Sequence, residues 1–240
     1  MVVKSELKLI KSLQQKKYRN EHGLFVIEGK KAVEELLNSN FKVFKVYVTA
    51  GMLPIKGITN EVEIPAKEMN TISSLKNPNG VLGVFYIPKA AAVDFNDWIV
   101  VLDAIQDPGN LGTIIRLCDW FGIRYLVCSK TTVDCYNPKV LQATMGSITR
   151  VSITYTDLPS FLAGVSVPVY GSFMNGNPVY EKELPEKGIL VMGNEGKGIS
   201  DAVKALCGNT IAIPRYGKSK TESLNVATAA AILMNEIRRS

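Results

Sequence analysis

The stretch Ile189-Leu-Val-Met-Gly-Asn-Glu-Gly-Lys-Gly198 decides the fold, because an apolar run passes directly into a glycine-rich turn. The same plan recurs at Thr210-Ile-Ala-Ile213, which leads into Pro214 and a polar loop before an alanine-rich segment closes the chain. Short apolar runs bounded by turns are typical of buried strands. Glycine at a strand end lets the backbone approach a flat ligand, since no Cβ intervenes. We therefore predict a pocket lined mainly by main-chain amides at these two strand ends.

Strands and helices alternate through residues 91–240, which predicts an α/β domain with a parallel sheet covered by helices on both faces. The predicted strands are Trp98–Leu102, Tyr125–Cys128, Pro168–Gly171, Ile189–Met192 and Thr210–Ile213. The predicted helices are Leu111–Phe121, Pro138–Met145 and Val226–Arg238.

Residues 1–90 are predicted to form a separate, smaller α/β domain that joins the second one near Pro88–Val93. Its pattern begins with a basic helix and continues with short apolar runs and turns. The predicted elements are helices at Lys4–Lys17 and Lys30–Asn38 and strands at Phe25–Ile27, Phe41–Val48 and Val81–Ile87.

The net positive charge of the chain comes entirely from the first of these domains. Residues 1–90 carry 14 lysines and arginines against 8 acidic residues, whereas residues 91–240 carry 14 of each. A basic surface is expected where a protein meets a phosphate backbone, although a net charge of +6 is also compatible with an ordinary solvated surface. At the end of the first helix, Lys16, Lys17 and Arg19 are the best candidates for contact with such a backbone.

Several classes of protein are disfavoured by what the sequence lacks. It contains no apolar run of the length of a membrane span. Its N-terminus continues into a charged stretch rather than an apolar one, so we do not expect a secretory signal. One histidine and four dispersed cysteines give no zinc-ligand spacing, and they suit a cytoplasmic protein with reduced thiols. The glycine-rich turn matches neither a Walker A loop nor a dinucleotide-binding GxGxxG. We expect no metal and no membrane partner.

Asp107-Pro-Gly-Asn-Leu-Gly-Thr-Ile-Ile-Arg116 opens a predicted helix with Asn110 as its N-cap and Gly122 as its C-terminal stop. Arg116 lies off the apolar stripe of this helix, on the side shared with Thr113 and Trp120. Taken alone, an arginine in that position is more often a solvated side chain.

Ser223-Leu-Asn225 precedes the last predicted helix. Its plain interpretation is structural: Ser223 or Thr221 caps the helix, and Asn225 lies in the first turn. A functional interpretation is compatible with it, because a helix N-terminus also favours a nearby anionic group.

Taken in order, the segments at 107–116, 193–200 and 213–226 resemble the SpoU (TrmH-like) branch of the SPOUT RNA methyltransferases, which methylate ribose 2′-hydroxyls. Residues 1–90 resemble the L30e-like substrate-binding domain that precedes many SpoU domains, with landmarks at Phe25–Gly29 and Gly80–Gly83. The resemblance implies S-adenosyl-L-methionine as cofactor, a C-terminal trefoil knot and a homodimer formed through the C-terminal domain.

The resemblance also implies roles for individual residues. The implied catalytic residues are Asn110, Arg116, Glu195, Ser223 and Asn225. The implied cofactor-binding residues are Met192, Gly193, Ile213 and Leu224. The basic loop that follows Ile213 adds Arg215, Lys218 and Lys220 as RNA contacts.

The expected function is S-adenosylmethionine-dependent 2′-O-ribose methylation of structured RNA, with ribosomal RNA as the first choice. Transfer RNA is the second choice, since the tRNA-specific relatives usually have shorter extensions ahead of the catalytic domain. An alternative hypothesis from a different functional class is that the chain is a non-catalytic RNA-binding protein of the same fold. A small-molecule methyltransferase fits poorly with a basic N-terminal domain.

Overall fold

A computed structural model describes residues 3–51, 61–218 and 222–239. The chain divides into two compact units, each built from two stretches of sequence. The first unit consists of Met1–Lys89 and Asp134–Thr149, and the second consists of Ala90–Val133 and Arg150–Ser240. The sequence-based division at residue 90 placed 134–149 in the second domain, whereas these residues pack with the N-terminal stretch.

The first unit is built around a four-stranded sheet in the order β1-β4-β2-β3. Strand β4 is antiparallel to β1 and β2, and β3 is parallel to β2. The strands are β1 Leu24–Glu28, β2 Val43–Thr49, β3 Val62–Ile64 and β4 Val81–Tyr86. The helices are α1 Lys4–Ser12, α2 Lys16–His22, α3 Lys30–Leu37, α4 Ala66–Ile72 and, from the second stretch, α6 Pro138–Thr144. A single 3₁₀ turn, Ser147–Thr149, follows α6.

The basic helix predicted at Lys4–Lys17 is in fact two helices, and Arg19 stabilises the break between them. The guanidinium of Arg19 is buried, with 2% exposure. Its Nη1 donates to the carbonyl oxygens of Leu13 and Gln14 at 2.8 and 2.9 Å, and its Nε donates to Asp134 Oδ2 at 2.9 Å. Carbonyl groups that lose their helical partners at the break are thereby satisfied.

The prediction that Arg19 contacts RNA is therefore wrong. A guanidinium that is removed from solvent and bonded to a carboxylate and two carbonyls has no free face for a phosphate. Lys16 and Lys17, on the same helix, are exposed. The sequence pattern does not separate the three residues, because only the fold determines which basic side chain turns inward.

Residues 134–149 contribute to the core of the first unit. The Tyr136 ring packs on Phe25 of β1 with 4.6 Å between centroids, and Val140 and Leu141 of α6 are buried. Burial raises the pKa of the Tyr136 hydroxyl well above its usual range. This segment reads in the sequence as one more helix of the second domain, since periodicity does not reveal the unit against which a helix packs.

The second unit contains a six-stranded, wholly parallel sheet in the order β10-β8-β9-β5-β6-β7. This confirms the predicted α/β fold with a parallel sheet and helices. The strands are β5 Ile99–Asp103, β6 Tyr125–Ser129, β7 Ser152–Thr156, β8 Val169–Pro178, β9 Ile189–Gly193 and β10 Asn209–Ala212. The helices are α5 Pro108–Trp120, α7 Leu158–Ala163, α8 Asp201–Lys204 and α9 Val226–Arg239, with a 3₁₀ turn at Val179–Glu181.

Strand β7 and helices α7 and α8 were not predicted. The sequence of β7, Ser-Ile-Thr-Tyr-Thr, is mostly polar, and every residue in it is only partly buried. It lies at one edge of the sheet, where a strand needs less apolar surface than a central one. The central strand β5 is buried along its whole length, and it is the kind of strand that hydrophobic patterns reveal.

The C-terminal helix is tied to the end of α5 by Arg238. Its guanidinium donates to the Phe121 carbonyl at 2.7 Å and to both carboxylate oxygens of Asp97 at 2.7 and 2.8 Å. The hydrogen bond from Arg238 holds the pKa of the Asp97 carboxyl below its ordinary value. Gly122, with φ +67°, ends α5 as predicted, in the left-handed conformation that favours glycine.

Candidate active site

The segments that follow β5, β9 and β10 start from the same edge of the parallel sheet, because the carboxyl ends of parallel strands lie together. Strands β5 and β9 are direct neighbours, with Asp103 opposite Gly193. The first segment leads into α5, the second is the glycine-rich turn, and the third leads into α9. This is the arrangement in which α/β proteins commonly bind ligands.

The glycine-rich turn is organised by the side chain of Asn194. Its Oδ1 accepts from the main-chain N–H groups of Gly196 and Lys197, both at 3.0 Å. Its Nδ2 donates to the Ala104 carbonyl at 2.8 Å, which connects the turn to the end of β5. Main-chain bonds in both directions also join Asn194 to Gly198. Asn194 was not among the predicted site residues, although an asparagine that opens a glycine-rich turn is a known turn signal.

Gly193 is required for a different reason from the one the sequence suggested. A Cβ at this position would lie 2.2 Å from the carbonyl carbon of Gly198 and from the nitrogen of Ile199. The glycine therefore allows the turn to fold back on its own strand. Close approach of a ligand to the backbone remains a prediction, but it is not needed to explain the residue.

Gly193→Ala is expected to lower the free energy of unfolding by about 1–3 kcal/mol, because main-chain atoms block the added methyl group. The melting temperature should fall by about 2–12 °C for a chain of this size. Gly196→Ala is the matched control in the same turn: the nearest atom to its added Cβ is Asn194 Oδ1 at 3.7 Å. Thermal unfolding of the two variants checks the explanation, and equal melting temperatures would contradict it.

The N-cap of α5 is Asp107, and the prediction that Asn110 caps this helix is wrong. Asp107 Oδ1 accepts from the main-chain N–H of Asn110 at 2.7 Å, and Pro108 occupies the first helical position. The side chain of Asn110 is consequently not used in capping. Its Nδ2 donates to Glu195 Oε1 of the glycine-rich turn at 2.8 Å.

The N-cap of α9 is Asn225, rather than Ser223 or Thr221. Asn225 Oδ1 accepts from the main-chain N–H groups of Ala227 and Thr228 at 2.9 and 3.2 Å. Its Nδ2 donates to Asn110 Oδ1 at 2.9 Å. Ser223 is exposed, and Thr221 lies outside the described residues. One side chain thus starts the last helix and also reaches the first motif.

Glu195, Asn110 and Asn225 therefore form a continuous hydrogen-bonded chain, hereafter the amide relay. Its members come from the three segments that the sequence singled out, and 85 and 115 positions separate Asn110 from its two partners. Each amide uses its donor in one direction and its acceptor in the other, so the orientation of Asn110 is fixed at both ends. The glycine-rich turn and the start of α9 are thereby held against the start of α5.

The predicted cofactor-binding residues differ in exposure. Met192 is buried within β9, so only its main chain could face a ligand, and Gly193 and Ile213 are partly exposed. Leu224 is 48% exposed immediately before the cap residue Asn225. An exposed leucine next to a fixed polar group presents apolar surface where a ligand could cover it.

Arg116 lies on the exposed face of α5 together with Thr113 and Trp120, as predicted. It makes no hydrogen bond or ion pair with any residue in the described ranges. The buried stripe of the helix comprises Leu111, Gly112, Ile114, Ile115 and Cys118. The guanidinium is therefore directed away from the core and is available to a bound partner.

Ala104 was also missed by the sequence analysis. It has a φ of +58°, which is costly for a residue with a Cβ, and it stands at the end of β5. Its N–H donates to Ser129 Oγ at 2.9 Å and its carbonyl accepts from Asn194. Strained backbone of this kind clusters at functional sites, but no pattern in the sequence marks an alanine as strained.

Of the predicted RNA contacts in this unit, Arg215 and Lys218 are exposed. Lys220 lies outside the described residues.

Within the described ranges no group of three or more histidine, cysteine, aspartate or glutamate side chains is arranged to hold a metal ion. None of the helices there has the length and apolarity to cross a membrane.

Comparison with known families matches both parts of the chain. The model of the SpoU rRNA Methylase family matches residues 97–235. The model of the MRM3-like substrate binding domain matches residues 4–83.

The chain is also similar to individual proteins along nearly its whole length. It is 32% identical over 235 residues to the 23S rRNA (guanosine(2553)-2′-O)-methyltransferase RlmP of Bacillus subtilis, covering 95% of this chain and 94% of that protein. A solved structure described as an RNA methyltransferase of the TrmH family from Porphyromonas gingivalis is 37% identical, with a TM-score of 0.90 and coverage of 100% and 99%. An AdoMet-bound rRNA methyltransferase from Sinorhizobium meliloti is 28% identical, with a TM-score of 0.86 and coverage of 100% and 96%.

The resemblance drawn from three short motifs is thus confirmed over almost the entire sequence. The family match covers all members of the amide relay as well as Arg116. We conclude that the chain belongs to the SpoU rRNA Methylase family.

Proposed function

We propose that the protein transfers a methyl group from S-adenosyl-L-methionine to a ribose 2′-hydroxyl of structured RNA, and that this RNA is ribosomal RNA. The observation that carries this proposal is the amide relay, which joins the three motifs at one edge of the sheet. The name of the Bacillus subtilis relative supports the choice of substrate and of the 2′-oxygen. The AdoMet-bound relative from Sinorhizobium meliloti supports the choice of donor.

The residues at this edge fit the flat adenine ring of the donor. The main chain of Met192 and Gly193 would form one wall, and Ile213 with the half-exposed Leu224 would flank the adenine. The turn fixed by Asn194 presents exposed main chain at Gly196 and Gly198, two positions without a side chain, on either side of exposed Lys197. When bound, S-adenosylmethionine supplies a methyl carbon that is activated by a neighbouring sulfonium.

Arg116 is assigned to the substrate. A free guanidinium is a poor base because its pKa exceeds ~12, so the role we assign is to bind phosphate and to stabilise negative charge on the attacking oxygen. The charge is available for this purpose, since no described residue neutralises Arg116. Glu195, Asn110 and Asn225 would orient the site around the ribose, and exposed Ser223 would contact substrate or donor.

The remaining proposals concern the organisation of the whole protein. Residues 1–90 would act as an L30e-like domain that binds the RNA substrate, and residues 91–240 as the catalytic domain with a C-terminal trefoil knot. Exposed Lys16, Lys17, Arg215 and Lys218, together with Lys220, would contact RNA phosphates. A homodimer formed through the C-terminal domain, acting in the cytoplasm, completes the proposal.

The direct test uses the full-length protein, isotopically labelled S-adenosylmethionine and unmodified transcripts of ribosomal and transfer RNA. We expect label in a ribosomal transcript, recovered after complete nuclease digestion as a 2′-O-methylated nucleoside identified by mass spectrometry. Addition of S-adenosylhomocysteine should suppress the reaction. Label on a base would contradict the 2′-oxygen as acceptor, and label in transfer RNA alone would contradict the choice of ribosomal RNA. No incorporation in any transcript would favour a binding protein without activity.

A further inference from the structure

An exposed aromatic pair at one end of the sheet in the first unit is not explained by the core of that unit. Phe44 of β2 and Tyr86 of β4 lie with their ring centroids 5.9 Å apart and their planes at 78°. Their exposed fractions are 39% and 45%, although the neighbouring Phe85 is fully buried. Contiguous exposed apolar surface is a feature of interaction sites.

A β-bulge places Phe44 in this position. The register of β2 against β4 pairs Val43 with Phe85 and Lys45 with Val84, so Phe44 is an extra residue without a partner. Bulges bend a strand and redirect a side chain, and they are common at functional edges. The bulge thus breaks the alternation of the strand and keeps Phe44 beside Tyr86.

The surroundings of the pair are basic. The main-chain N–H of Tyr86 donates to the Lys42 carbonyl at 2.9 Å, which holds the main chain of Lys42 beside that of Tyr86. Lys42 is exposed, and so is Lys89, three residues after Tyr86. Lys45, by contrast, is engaged by Glu6 in an ion pair of 2.5 Å. Phe44 and Tyr86, flanked by Lys42 and Lys89, are hereafter the aromatic platform.

We propose that the aromatic platform binds unpaired nucleotides of the RNA substrate by stacking their bases on Phe44 and Tyr86 while Lys42 and Lys89 contact the phosphates. In an edge-to-face pair each ring covers at most one face of the other, and both rings here are partly exposed to solvent. Aromatic side chains within a basic surface are the usual means of binding single-stranded RNA without sequence preference. The inference rests on the proposed function, since it deepens the choice of RNA as substrate.

The platform would complement the lysines of α2. Lys16 and Lys17 offer charge alone, which does not distinguish a duplex from a single strand. Stacking requires bases that are free to leave a helix, so the platform would select loops or bulges in a folded RNA. The first unit would then direct the second toward a structured site that contains unpaired nucleotides.

The test compares full-length variants for binding to a short fluorescent single-stranded RNA and to an RNA duplex of the same length. Phe44→Ala with Tyr86→Ala should weaken binding of the single strand by about ten-fold or more and change duplex binding little. The exchange Phe44→Tyr with Tyr86→Phe keeps both rings and should retain the affinity of the unaltered protein. Tyr180→Ala removes an exposed tyrosine of the second unit and should have no effect.

A second variant keeps the test decisive if the alanine pair unfolds the unit, which thermal melting would reveal. Lys42→Ala with Lys89→Ala should reduce the salt dependence of single-strand binding by about 1.4 in the log–log slope, since about 0.7 is lost for each phosphate contact. Unchanged binding in a folded alanine pair, or an unchanged slope in the lysine pair, would overturn the proposal. So would a change in sedimentation with RNA affinity unaltered, because the rings would then serve a protein contact.

These measurements use no methyl donor, so they are independent of methyl transfer. Failure of transfer with an intact effect of the aromatic platform would overturn the proposed function alone. Failure of the platform variants with normal transfer would overturn the platform alone.

Discussion

Arg116→Ala is expected to slow methyl transfer about 10²–10³-fold, the usual effect of removing one group that stabilises a developing oxyanion. The side chain is exposed and is not bonded to any described residue, so its removal should change the free energy of unfolding by no more than about 0.5 kcal/mol. Affinity for S-adenosylmethionine should be unchanged, because the donor residues lie on other segments. Single-turnover rates, calorimetry with the donor and thermal melting measure the three quantities separately.

Arg116→Lys should recover little of the lost rate, since an ammonium cannot reproduce the two parallel hydrogen bonds of a guanidinium to a phosphate. Arg124→Ala is the matched control. It removes another exposed arginine of the same unit, the guanidinium of which lies 6.0 Å from the centre of the Tyr125 ring. We expect near-normal transfer in this control. Near-normal methyl transfer in Arg116→Ala would contradict the prediction and show that Arg116 is an ordinary solvated side chain of the helix.

Arg19→Ala is expected to destabilise the protein by about 3–5 kcal/mol, the cost of removing one member of a buried ion pair. The change leaves the Asp134 carboxylate without its cation and exposes the carbonyl groups of Leu13 and Gln14 at the break between α1 and α2. At temperatures where the variant stays folded, its RNA affinity and the salt dependence of that affinity should match the unaltered protein. Denaturant unfolding and filter binding test the two halves of this prediction.

Lys17→Ala is the control for charge, because Lys17 is an exposed neighbour on the same helix. It should alter stability by no more than about 0.5 kcal/mol and should flatten the salt dependence of RNA binding. In a double-mutant cycle, Asp134→Ala should cost less in the Arg19→Ala background than alone, since the two residues form one pair. Additive effects, or a flatter salt dependence in Arg19→Ala, would show that Arg19 contacts RNA after all.

The division of the chain has a practical consequence for separating RNA binding from donor binding. Removing the residues before Val93 would strip α6 and Tyr136 of the strands and rings on which they pack. Such a truncation would expose apolar surface as well as remove the basic domain. Point substitutions in the full-length chain, such as those of the aromatic platform, avoid this complication.

Much of the fold follows from the sequence because it depends on local patterns. Continuous apolar runs predicted the central strands β5, β6 and β9, and their alternation with helices predicted the parallel sheet. Three motifs at 107–116, 193–200 and 213–226 were sufficient to indicate the family. These signals survive in the sequence because each depends on neighbouring residues and on the periodicity of one element.

Individual roles at the site depended on tertiary contacts. Any of several polar residues could have capped α5 or α9, and the fold gave these roles to Asp107 and Asn225, which left Asn110 to link Glu195 with Asn225. Arg19 and Lys17 look alike in a basic helix, but only Arg19 meets a carboxylate more than a hundred residues away. The sequence by itself therefore determined the central strands, the longer helices of the second unit and the chemistry available to this protein. The tertiary structure alone decided which side chains meet, since the energy of a hydrogen bond or a buried charge depends on partners that chain position does not reveal.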